Sequence, residues 1–499
     1  MVLAWALSHA QVIQTARYEF QAPGDGSEYK LLPSGDEGLI VYRRAELPGV
    51  NDILYFIKFD TALQEKWISS INVSKNLSLA FVEGNKVNTY FLFKPKNSYG
   101  DFLLFSLGAD SSKHSLYTVK NVIPFNPIMF EVGRKAVVIA GYYNYRPIVL
   151  HYSLETGLSK ILPGIFNEPG ELNQITIQPD ETIDVVVSTK NASKRIGLNI
   201  MSFSADGGAW KNTILQPAQD KNLLFGRMAK LPGDSTVVAG VYGKNQEYSR
   251  GIFIATIDPA GEYLVRYYNF AELKNFFKYL RAGRQARIQE RIARKRIKGK
   301  KPRFNYRMAI QEFVPYKDHY LLLGEAFFPV YKSASYATGR AISTYYYYGR
   351  YNMASSNWQR DFVFDGYKYT HAIVLGIAHD GKLLWDNSFE INDVKSFTLE
   401  QHVHTLFGEN IALFYSYNNK IYTKTIQGLQ VVSPKSEEVI KSKFDGDKIK
   451  RNSQGDHKLV YWYGKYLLSY GNQELSNLST PNVALNRKVF YINKFTYQE

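Results

Sequence analysis

In "IFIATIDPAGEYL" (252–264) an apolar run meets Asp258-Pro259-Ala260-Gly261 and then resumes. β-branched and aromatic residues favour strands, and a tight hairpin turn needs residues that tolerate positive φ, so this stretch predicts two antiparallel strands. The pattern recurs as "ILYFIKFDTALQEKW" (53–67), "FLLFSLGADSS" (102–112), "IVLHYSLETGLSKIL" (148–162), "NIMSFSADGGAW" (199–210), "AIVLGIAHDGKLLW" (372–385) and "KIYTKTIQGLQVV" (420–432). Asp60, Gly108, Thr156, Asp206 and Asp258 stand 48, 48, 50 and 52 residues apart, and Asp380 to Gly428 is again 48. The period is that of one small sheet repeated.

A second signature, an apolar strand with a Gly near its end, precedes the hairpin in several repeats: "AVVIAGYY" (136–143), "TVVAGVYG" (236–243), "YLLLGEAF" (320–327) and "YLLSYGNQ" (466–473). Two repeats also share "RMA", at Arg227 and at Arg307, which reads as a common opening. An inner strand, a Gly-bearing strand and a hairpin make a four-stranded blade, and one blade cannot bury both faces alone. The fold class expected is all-β, a β-propeller of seven or eight four-stranded blades, with units beginning near residues 30, 78, 125, 172, 222, 304, 399 and 457. A β-sandwich pair is the alternative. The last unit has only three strands before the chain ends, so "TARYEFQ" (15–21) is expected to supply the fourth by pairing with 488–497. The chain resembles bacterial β-propellers of the kelch or WD40-like kind in architecture alone. It has neither a G-H…W-D pattern nor a kelch double glycine, so the resemblance implies no site residues.

Composition narrows the class. The hydrophobic fraction of 45% with 21% charged residues is that of a globular chain. No apolar run reaches the roughly 18 residues a spanning helix needs, which leaves peripheral membrane contact open. With no Cys, disulfides, Cys-ligated zinc and thiol catalysis are excluded. "MVLAWALSHA" (1–10) reads as the remnant of a signal peptide, with Ser8 and Ala10 at the spacing of a cleavage site, or else as a first buried strand. The signal reading predicts a propeller domain over 11–499 that is exported to the periplasm or cell surface. The repeats do not speak to the oligomeric state.

Between Asp258 and Asp380 the step is 122 residues, so one blade carries insertions. They are a basic segment (271–303), expected to be helical, and a Tyr-rich loop (332–370). From Ala271 to Arg307 there are 14 Lys or Arg and 2 Glu, against a net charge of +16 for the whole chain. Leu273, Phe276, Phe277, Leu280, Ile288 and Ile292 recur at helical spacing and predict an apolar face. Arg284, Arg287, Arg291, Arg294 and Lys295 then face water, and Gly299 and Pro302 end the helix. The face is either a solvated surface or the site of an anionic partner: an anionic surface such as acidic lipid, a glycan, or an acidic protein. Nucleic acid is the less expected partner. In the second insertion Tyr346, Tyr347, Arg350, Tyr351 and Trp358 form a candidate binding loop, or a self-packed hairpin.

Catalytic signals are sparse. There is no G-x-S-x-G, H-E-x-x-H, P-loop or EF-hand pattern, and no cofactor is expected. His402 and His404 are expected as solvent-side residues of one strand. Glu325 stands among apolar residues in "YLLLGEAFFP" and needs a partner, for which Arg307 is the candidate. The main reading is a non-catalytic binding or scaffold propeller of the cell envelope. The alternatives are a glycan hydrolase or lyase built on Glu325, Arg227, Arg307 and His402, and an intracellular propeller binding RNA or an acidic protein.

Overall fold

The computed structural model describes residues 11–85, 87–96, 100–108, 114–218, 220–231, 233–333, 362–452 and 457–498. They form eight antiparallel sheets, the blades of an all-β, eight-bladed propeller. The inner strands begin at Lys30, Leu77, Asn126, Gly170, Asn222, Arg307, His404 and Lys458, each within about five residues of its expected start.

The hairpin turns form as their residues dictate. In the fifth blade Asp258 accepts the Glu262 amide on its side chain (2.9 Å), and Gly261 takes φ +91°. Asp60 binds the amides of Ala62 and Gln64 in the same way, at 2.9 and 2.8 Å, and Asp380 that of Lys382 at 3.0 Å. The recurrent glycine has a different cause. Most inner strands contain a bulge, and the second strand must pass close beneath it. A Cβ at Gly141 would lie 2.1 Å from the Asn126 carbonyl oxygen, and one at Gly240 would lie 1.9 Å from that of Phe225. Only glycine fits there.

The bulges also show that the two "RMA" segments are not equivalent. Register shifts leave Leu224 and Gln311 as the bulged residues of their inner strands. Arg227 follows the first and Arg307 precedes the second, so the shared letters are a coincidence of sequence rather than a shared opening.

The chain divides into two compact units. The first contains Met1–Lys120, His402–Gln427 and Val431–Glu499. In it the N-terminal strand Gln11–Gln21 pairs with Asn486–Gln498, as expected for 15–21 and 488–497, and completes the eighth blade. Glu19 on that strand binds Arg17 at 2.7 Å and Arg487 at 3.4 Å, so charge as well as backbone ties the two termini. Blades eight and one are joined by the bulged Trp462, which donates from Nε1 to the Gly38 carbonyl at 2.9 Å.

The second unit, Asn121–Gln401 with Gly428–Gln430, contains blades three to six. Their junctions are side-chain to backbone bonds. Tyr142 Oη accepts from Leu172 N (2.8 Å), and Met228 N donates to Gln174 Oε1 (2.8 Å). Arg227 Nε donates to Ile310 O (3.0 Å) and Leu383 N to Tyr268 Oη (3.0 Å). Buried backbone groups left without a ladder partner at the open edge of an inner strand or after a turn must find partners, and here the neighbouring blade supplies them.

Deleting residues 490–499 strips the eighth blade of most of its third strand and leaves the N-terminal strand unpaired from Gln11 to Phe20. Two sheet edges are then open. The truncated chain should lose its cooperative thermal transition or melt at least about 10 °C lower, as followed by circular dichroism.

Candidate functional site

The basic segment connects the fifth blade to the sixth, and its stem is built into the protein. After Tyr263–Asn269 a 3-10 turn, Phe270–Glu272, is closed at its N-terminus by a capping box between Asn269 and Glu272. Leu273, Phe276 and Phe277 are buried, yet they are not helical: the α-helix runs only over Ala282–Ile297. The expected helical face is therefore split between an irregular stem and a shorter helix. Only Ile288 and Ile292 dock from the helix itself.

Two interactions hold the stem. Asp386, on the outer strand of blade six, accepts the amides of Lys274 (2.8 Å) and Asn275 (2.5 Å), while Asn275 Nδ2 donates to the Asp386 carbonyl (2.5 Å). Burial raises the pKa of Asp386, against the pull of those two amides. The second interaction is aromatic. Phe270 stacks on Phe276 at 4.5 Å, and Phe276 meets Tyr306 and His371 edge-on, each at 4.9 Å. Tyr279 lies flat on the His371 ring, 3.8 Å away at an interplanar angle of 6°. The hydroxyls of Tyr279 and Tyr306 are 3.1 Å apart.

His371 is fully buried. Thr370 Oγ1 donates to Ala326 O (3.2 Å) and lies 2.9 Å from His371 Nδ1, so Nδ1 carries the ring proton and Nε2 has no bonding partner. Burial lowers the pKa of His371 to about 3.

From this base the helix carries its charge outward. Gln285 bonds back to Lys278 O (3.2 Å), and Arg296 to Ala271 O (3.2 Å). Arg284, Arg287, Arg291, Arg294 and Lys295 are exposed, as expected. At 100° per residue they occupy one arc beside the docked side. Arg291 lies over the Phe304 ring at 5.3 Å, and Arg294 meets Glu290 at 3.7 Å in an exposed pair of small energetic weight. The helix ends as the sequence indicated, with Gly299 at φ +62° and Lys300 N bonded to Lys295 O.

The second insertion differs from the expected loop at its margins. The strands His319–Ser333 and Phe362–Ile377 pair out to Ser333 and Phe362, so both ends of 332–370 belong to a prolonged hairpin of blade six. Tyr346, Tyr347, Arg350, Tyr351 and Trp358 lie outside the described residues.

The candidate acid–base residues do not converge. Glu325 is 0% exposed and accepts from Gln311 Nε2 at 2.7 Å. Arg307 does not clamp it, because its guanidinium goes to Glu247 at 2.6 Å, over the Tyr248 ring at 4.9 Å. Register explains Glu325 better. In blade four the bulged Asn173 bonds Ser188, which in turn reaches Leu224 O (3.4 Å) in blade five. Ser188 and Glu325 occupy equivalent positions, opposite Glu171 and Ala309, two residues before the respective bulges. Glu325 is thus a bulge-holding residue. Arg227 is engaged at a blade junction. In the first unit, His402 lies before the strand His404–Phe407 rather than on it, and both rings are part-buried instead of solvent-side. Burial lowers them to about 3 and about 4, helped at His402 by His404 and Lys458 and opposed at His404 by the Leu459 backbone. Among the described residues no three His, Asp or Glu side chains are grouped to hold a metal ion. Asp386, Asn275 and His371 were not singled out in the sequence, where nothing marks a side chain that binds backbone 111 residues away.

No protein-family model and no curated protein matches the chain. Among solved structures it is similar to a prolyl endopeptidase, at 9% identity and TM-score 0.38, over 94% of this chain and 55% of that one. It is also similar to the Synechocystis apocarotenoid oxygenase, at 7% identity and TM-score 0.31, over 48% of this chain and 60% of that one. The chain thus spans little more than half the length of these structures, and likeness at this level carries no residue, ligand or activity to it.

The state of His371 has a consequence in acid. An unfolded imidazole titrates near 6.5 and the folded one near 3, so between these values only the unfolded chain binds the proton. Stability present above pH 6.5 is lost progressively as the pH falls toward 3. Thermal melts from pH 7 to 4 should show this fall, and His371→Phe, which keeps a ring against Tyr279, should make it shallower. An unchanged slope would contradict a neutral buried His371.

Proposed function

We propose that the protein is a non-catalytic binding propeller of the cell envelope that engages an anionic partner through its basic helix. One observation carries this reading. The apolar side of the helix is already docked on the blades, and its basic side is presented to solvent almost free of acidic neighbours. From Arg284 to Lys298 the cations recur about once per turn, or ~5.4 Å, over roughly 21 Å. Arg predominates, and its planar fork suits phosphate, sulfate or carboxylate groups. A helix serving solubility alone has no need of so firm a stem.

Charge reversal of Arg287, Arg291, Arg294 and Lys295 to Glu should leave the melting temperature nearly unchanged, because all four are exposed. Affinity for immobilised heparin should fall by about 100-fold or more at low salt, each basic residue near an anionic surface being worth about 1 kcal/mol. The parent's affinity should itself drop steeply toward physiological salt, where screening acts over about 8–10 Å. Equal affinity of the two proteins would reduce the helix to a solvated face.

The proposal includes export, with cleavage after Ala10. Its support is the Ser8–Ala10 spacing, in a segment outside the described residues. Edman sequencing of the protein from fractionated cells should read Gln-Val-Ile; an intact Met1 in the cytosol would contradict this.

A further inference from the structure

We propose that the end of the second unit bearing the basic helix docks on an anionic lipid bilayer, with Phe328 and Phe397 entering the headgroup region beside it. This rests on the anion-binding reading of the helix and names the partner.

Three chain segments meet at that end. In a four-stranded antiparallel blade, the connection between strands two and three leaves at the same end as the connection onward to the next blade. The basic segment joins blades five and six, the prolonged hairpin joins strands two and three of blade six, and 391–401 leads out of blade six. Contacts support the grouping: Tyr279 lies on His371 at the hairpin base, and Tyr369 Oη donates to Glu400 O at 3.0 Å.

Register then sorts the side chains of the hairpin. Residues directly opposite one another in a sheet share a face. Phe328 is paired with Lys368, and Lys368 with Lys395; the next row is Pro329, Tyr367 and Ser396. The second row belongs to the buried face, with Phe327, Tyr367, Tyr369 and Ser396 all covered. The first row faces outward, where Phe328 is 44% exposed and Phe397, next along from Ser396, is 58% exposed. Val363, opposite Lys332, is exposed as well.

The lysines of this outward face are neutralised locally. Asp365 binds Lys332 (2.5 Å) and Lys395 (3.0 Å), and Asp393 binds Lys368 (3.2 Å). What the hairpin offers a partner is therefore apolar surface, while the helix offers charge. Attraction by a cationic stretch and shallow entry by neighbouring apolar side chains are the two signals that together make peripheral binding to anionic lipid stable. The helix cannot supply both, since Ile288 and Ile292 are docked on the protein. Phe has no hydroxyl or ring N–H for a hydrated glycan, so Phe328 and Phe397 fit a hydrocarbon boundary better than a polysaccharide.

The test is co-sedimentation with vesicles of phosphatidylcholine alone and of phosphatidylcholine mixed with phosphatidylglycerol, in parallel with heparin affinity. The parent should bind the mixed vesicles and not the neutral ones. Phe328→Ser/Phe397→Ser should lower affinity for the mixed vesicles about tenfold or more while leaving heparin affinity unchanged, since no cation is removed. As a check independent of that variant's folding, Phe397→Trp should add to the parent's fluorescence an emission that shifts to the blue and is quenched by brominated lipid in mixed vesicles. Vesicle binding that is indifferent to the double substitution, an added tryptophan signal that does not respond to lipid, or heparin binding without vesicle binding would each overturn the bilayer proposal and leave the helix as a site for a soluble polyanion. Failure to bind either heparin or mixed vesicles would overturn the underlying reading as well.

Discussion

A four-stranded blade has two apolar faces and no means of covering both, so everything in this protein depends on how one blade is fastened to the next. The inner-strand bulge is central to that fastening. It takes a residue out of the ladder, frees backbone groups that need partners, and aims a side chain sideways. Asn173 leads through Ser188 to the next blade, Gln311 holds Glu325, and Trp462 binds the Gly38 carbonyl. The same bulges bring backbone so close to the second strand that glycine is required at 141 and 240.

The basic segment draws its rigidity from this frame. Asp386 binds two consecutive amides of the stem, and the rings of Phe270, Phe276, Tyr279 and Tyr306 close around one another and around His371. A helix with a long exposed basic side would by itself be marginal in water, because its charges repel and its two docked isoleucines bury little surface. Fixed at its stem, it presents its cations in one arrangement, and less conformational entropy is lost when a partner binds. Function thus follows from anchoring as much as from charge.

Much of the fold was legible because turn chemistry is local and periodic. Turn residues at steps near 50 residues located seven blades, a Gly-bearing strand marked the eighth, and a three-stranded last unit predicted the terminal pairing. Register was not legible. The repeated "RMA" suggested equivalence where the bulges place Arg227 and Arg307 differently, and apolar surroundings made Glu325 look like an isolated acid when it fills a position held elsewhere by Ser188. Helical spacing in 273–280 was real, but packing into the blades, with Asp386 capturing the backbone of Lys274 and Asn275, took that stretch out of the helix. Such bonds span more than a hundred residues and leave no pattern to read. The histidines misled for a similar reason: alternation at 402 and 404 suggests one strand face, but the strand begins only at His404, and alternation does not tell which side of a sheet is covered.

Hydrogen exchange tests the central claim most directly, namely that a firmly anchored stem presents a basic helix to an anionic partner. In the free protein, amides of 274–280 should exchange as slowly as the strands of blades five and six, while those beyond 298 exchange fast. On adding heparin or anionic vesicles, new protection should appear over 284–301 and leave the stem as it was. Rapid exchange in the stem of the free protein, or protection by the ligand that falls on other blades and spares the helix, would contradict the account.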